Sequence, residues 1–73
     1  MPTAPKPSAT AGATTTWVTS SAAMAAARRM AAAGAVGDPV CSLAAVGRPN
    51  PWLVPHGGRI EIGHYGVYWC LIW

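Results

Sequence analysis

Seventy-three residues allow one domain at most, and a chain this short is marginal for a self-sufficient hydrophobic core. The net charge of +3 comes from Lys6, Arg28, Arg29, Arg48 and Arg59, scattered apart from one pair, so the basic patch of a specific nucleic-acid binder is missing. The hydrophobic content of 52% overstates the core: fifteen of those residues are Ala, Phe is absent, and Leu, Ile and Val number only twelve.

The same counts argue against an enzyme. Asp38, Glu61, His56, His64, Cys41 and Cys70 are all the carboxylate, imidazole and thiol side chains of the chain. Catalysis needs such groups held together in a shaped pocket, and the chain has little material to build one. Cys41, His56, His64 and Cys70 can be written as a four-ligand zinc set, but they lack the short paired spacings that hold zinc ligands together. No metal and no cofactor are expected.

After Met1, residues 2–16 are Pro, Ala, Thr, Ser, one Gly and one Lys, with Pro2, Pro5 and Pro7 and without periodicity. They read as a disordered leader reaching to about residue 17. Ala dominates the next segment, and its propensity predicts a helix over about 18–33, closed at Gly34, with Ser20 or Ser21 as the N-cap. Its amphipathicity is poor, so no apolar stripe is expected to dock it, and such a helix is marginal in isolation. Met24 and Met30 each lead a run of three Ala, and Met24 is an alternative to Met1 as the start of translation. Residues 35–58 hold Pro39, Pro49, Pro51 and Pro55 among glycines and read as a linker with turns, interrupted by the apolar Trp52-Leu53-Val54.

The last segment, 59–73, is predicted as a β-hairpin. Ile60 and Ile62 alternate, Gly63-His64-Tyr65-Gly66 is the expected loop, and Val67 to Trp73 is a β-branched and aromatic strand. Val67, Trp69, Leu71 and Trp73 then share one face, and Tyr68, Cys70 and Ile72 the other. The Trp52 cluster is available to meet one face; nothing evident in the sequence covers the other. A hairpin alone is marginal. The fold class expected is therefore a mostly irregular small protein with one Ala-rich helix and a C-terminal β-hairpin.

Cys41 and Cys70 are able to close one loop, with a stabilisation of ~3–4 kcal/mol if bridged. Two cysteines without a secretory segment do not make a disulfide scaffold, and the reading taken is two free thiols. Cys70-Leu71-Ile72-Trp73 has the outline of a prenylation box, which marks Cys70 for lipidation, although Trp is not a usual terminal residue and no basic cluster precedes it. Residues 1–37 hold no acid and resemble a mitochondrial or plastid transit peptide, against which the arginines come late and the helix is not amphipathic. Localisation stays open between the cytoplasm, which is favoured, and organelle import. No run of about 18 apolar residues exists to span a membrane.

The expected function is non-catalytic: an interaction peptide whose apolar C-terminus engages a protein groove or a membrane surface, with self-association as a further outcome of the uncovered face. Trp69, Leu71, Ile72, Trp73 and Trp52 are the expected anchors, because buried aromatics dominate such contacts. Two alternatives stand beside it: a product of a non-canonical reading frame without selected activity, and an organelle-targeted accessory subunit.

Overall fold

The computed structural model describes residues 15–73. Of the leader expected over residues 1–17, residues 1–14 lie outside them. The described residues form one helix and a four-stranded mixed sheet, so the expectation of a mostly irregular chain is corrected. The strands are β1 (Thr15–Thr19), β2 (Leu43–Val46), β3 (Gly58–Tyr65) and β4 (Tyr68–Ile72). The helix α1 (Ser21–Ala33) follows β1, and a short 3-10 turn at Pro51–Leu53 precedes β3. The sheet order is β1-β3-β4-β2. β1 runs parallel to β3, while β3–β4 and β4–β2 are antiparallel.

Local chemistry explains each element. Thr15-Thr16-Trp17-Val18-Thr19 is wholly β-branched or aromatic, and it pairs as a strand instead of ending the leader or opening the helix. The helix therefore starts later than expected, at Ser21. Ser20 is its N-cap, its hydroxyl accepting from the Ala23 N–H at 3.0 Å. The Ser20 N–H donates to the Ile62 carbonyl at 3.2 Å, which ties the helix entry to β3. At the other end, the Gly34 and Ala35 N–H groups return to the Ala31 and Met30 carbonyls.

The hairpin exists, with a different turn. Gly63, His64 and Tyr65 belong to β3, and the loop is the pair Gly66-Val67, between the paired residues Tyr65 and Tyr68. Gly66 has φ of 60°, as a mirror-image hairpin turn demands of its first central residue. The hairpin is also not a free tail. It forms the centre of the sheet, with β1 and β2 as the edges.

Strand alternation sorts the sheet into two faces. Gly63, Cys70 and Ala44 lie on one, with Tyr68 and Ile72 beside them. That face is covered by α1, whose Ala23, Ala26, Ala27 and Met30 are buried against it with Cys70. The expectation that the helix has no face to dock is thus corrected. A methyl-lined face docks when the partner surface comes close enough, and Gly63 provides that closeness. A Cβ on Gly63 would lie under 3.0 Å from backbone atoms of Ala23 and Met24. On the opposite face Ile60 and Leu71 are buried beneath Val54, with Leu43 and Ile62 packed around them. Burying Met30, Ile60 and Leu71 stabilises by roughly 1.5–3 kcal/mol each.

Gly63→Ala is expected to force helix and sheet apart and to destabilise the fold by about 1–3 kcal/mol. Thermal unfolding followed by far-UV circular dichroism checks this; a wild-type midpoint would show that the helix does not sit on Gly63.

Candidate functional site

The face opposite α1 carries an open groove of about 420 Å3. Its floor is Ile62, Trp69 and Leu71, the central strands' contribution. Trp17 on β1 bounds one side and Pro55 another, with Arg48 and His56 among the lining residues. The groove spans from the edge strand β1, across β3 and β4, to the segment that follows β2.

The wall segment is fixed by its own bonds. Asn50 caps the 3-10 turn, its side-chain oxygen accepting from the Trp52 N–H at 2.9 Å, and Pro51 opens the turn with φ already suited to it. The Leu53 and Val54 N–H groups close onto the Asn50 and Pro51 carbonyls. Thr15 Oγ1 donates to the Pro55 carbonyl at 3.3 Å, joining the wall to β1. Val54 plugs the core beneath. His64 stacks on Trp69 across the hairpin, with ring centroids 4.4 Å apart, which orients the indole at the groove floor.

The anchors expected from the sequence are divided by this arrangement. Trp69 lines the groove. Leu71 also reaches its floor but is 1% exposed and belongs to the core. Ile72 packs on the helix side. Trp73 remains half-exposed, with its backbone held by Ser42 through bonds of 3.0 and 3.1 Å to the Ser42 hydroxyl. Trp52 is 84% exposed and lies outside the lining; of its cluster only Val54 packs inward. Trp17 and Arg48 were not anticipated. The β-branched run around Trp17 was the available signal for the first, and nothing in the sequence pointed to the second.

The cysteines correct another expectation. Cys41 and Cys70 form a disulfide across 29 residues, with Cα atoms 5.4 Å apart. Neither is a free thiol, and the buried Cys70 sulfur cannot take a lipid while this bond stands. It also removes both thiolates from the zinc set, and among the described residues no three His, Cys, Asp or Glu side chains gather to hold a metal ion. Asp38 positions Cys41. Its carboxylate accepts two bonds from Arg29, at 2.8 and 3.1 Å, and one from the Val40 N–H at 3.0 Å, while its carbonyl accepts from the Cys41 N–H. The Arg29 hydrogen bonds, with the Val40 amide behind them, hold this carboxyl below the ordinary aspartate range; the same bond raises Arg29. A second, shallower concavity on the helix side lies where Arg28 sits over the Tyr65 ring at 5.7 Å.

No helix among the described residues is long and apolar enough to cross a membrane. No protein-family model matches the chain, and neither does a curated protein or a solved structure.

Reducing the disulfide, or Cys41→Ser, is expected to cost about 3.5 kcal/mol by releasing a loop of this length in the unfolded chain. Urea unfolding with and without a dithiol measures it, and equal midpoints would show that the bond contributes nothing. Asp38→Asn tests the loop anchor. Because the folded carboxyl titrates below its unfolded value, its stabilisation is fully present above pH ~4 and is lost as pH falls through the lower folded value. The wild-type midpoint should therefore fall towards that of Asp38→Asn below pH ~4; a constant gap between the two down to low pH would refute the coupling.

Proposed function

We propose that this protein is a non-catalytic interaction module that holds an extended, proline-containing segment of a partner protein in the groove over Trp69. The observation that carries this reading is an open apolar groove with a tryptophan on its floor and a second, Trp17, at its side, half-exposed in a chain that buries few large side chains. Aromatic-lined grooves suit proline-rich segments, whose extended conformation is preformed and needs no ladder bonds. That fits a groove that crosses the strands.

The reading keeps the aromatic C-terminal strand as the binding element and moves its partner residue from the chain end to β1. The use of the reactive groups supports a non-catalytic role: both cysteines are bonded to each other, both carboxylates are in ion pairs, and His64 lies against Trp69. Two core clusters on opposite faces of one sheet support a folded binding module; the alternative of a reading-frame product without selected activity keeps the low-complexity Ala tract as its ground. The disulfide fits an oxidising compartment better than the reducing cytosol favoured from the sequence.

Trp69→Ala and Trp17→Ala are each expected to weaken partner binding at least about tenfold. Trp52→Ala and Trp73→Ala, outside the groove lining, are expected to change it less than about twofold. Titration of a labelled proline-rich peptide, read by fluorescence anisotropy, makes the comparison. Loss of binding with Trp73→Ala but not with Trp69→Ala would return the site to the chain end.

A further inference from the structure

We infer that the segment held by the groove carries a carboxylate, which Arg48 recognises. This rests on the reading of the groove as a peptide site and adds its charge specificity. The chain holds two acidic residues in all, Asp38 and Glu61. Asp38 is bonded to Arg29 at 2.8 Å, on the loop after the helix. Glu61 lies 3.9 Å from Arg59, and strand alternation places it on the helix side of the sheet, away from the groove. Arg48 is exposed, lines the groove and forms no ion pair among the described residues. No acid lines the groove with it. Asp38 and Glu61 are both paired elsewhere, which leaves the Arg48 guanidinium open to a carboxylate brought by a ligand.

The placement defines the ligand's layout. Trp69 and Ile62 form an apolar floor, and Arg48, which follows β2, is among the described residues the only formally charged side chain in the lining. A guanidinium offers paired donors to a carboxylate, and such charge-assisted bonds are stronger than neutral ones. Beside an apolar floor that attraction is screened less than in open water. The ligand is therefore an apolar, proline-containing segment with an Asp or Glu at the end that meets Arg48. A basic segment is repelled by the same residue.

The test uses the full oxidised chain and three labelled peptides with one proline-leucine body. They carry Asp, Asn or Lys residues at the ends. The acidic peptide is expected to bind about tenfold tighter than the neutral one, which corresponds to 1.4 kcal/mol, and the basic peptide weakest. The acidic preference should shrink with added salt. Arg48→Gln should remove the difference between the acidic and neutral peptides; an exposed residue without an ion pair among the described residues can be replaced with the fold intact. Equal binding of acidic and neutral peptides to the wild type, or a preference that survives Arg48→Gln, would overturn this inference and leave the groove reading standing. Failure of all three peptides to bind would overturn the groove reading itself. Concentration-dependent self-association that buries Trp69, or binding to phosphatidylserine vesicles in place of peptides, would replace the proposed occupant.

Discussion

Everything in this protein depends on how closely α1 lies against β3. A helix face made of Ala23, Ala26 and Ala27 has little area to bury, so it contributes only if the backbone behind it almost touches the sheet. Gly63 permits that contact, because a side chain there would overlap the helix backbone. Met30 supplies the one large side chain of this layer, and its sulfur accepts from the Gly37 N–H at 3.0 Å, which starts the return of the chain towards β2. Small residues on the helix and a glycine on the strand are one device.

The disulfide locks the same interface. Cys70 lies on β4 next to Gly63 on β3, both facing the helix, and its bond to Cys41 fixes the loop that leaves the helix. The Arg29–Asp38 pair sets that loop from above. A fold whose layers hold few large apolar residues is stapled where the chain reverses. With one face sealed in this way, Val54 is the buried residue that closes the opposite face among the described residues. The groove is the part that Val54 does not cover, and the proposed peptide site follows from that shortfall.

The helix, its serine cap and its glycine stop were legible because they rest on local propensity. The final strand and the sharing of a face by Trp69 and Leu71 were legible because side chains alternate along a strand. The alternation did not reveal that Leu71 would be core and Trp69 half-buried at the groove floor. Both point the same way, and what separates them is where Val54 lands. The loop of the hairpin was misplaced because two glycines bracket it, and only the helix contact shows that Gly63 serves packing while Gly66 serves the turn.

By itself, the sequence determined the element types that a few neighbouring residues decide: an alanine helix, a β-rich end, turns at proline and glycine. Tertiary structure decided the rest. β1 is a strand only because β3 lies parallel to it, 43 residues along the chain at the Trp17–Ile60 pair. Cys41 meets Cys70 only because β2 is laid beside β4. Trp17, Arg48 and Trp69 share one groove for the same reason. Contacts between distant segments carry no periodic signature in a single chain, since each depends on the loop closure that brings its partners together.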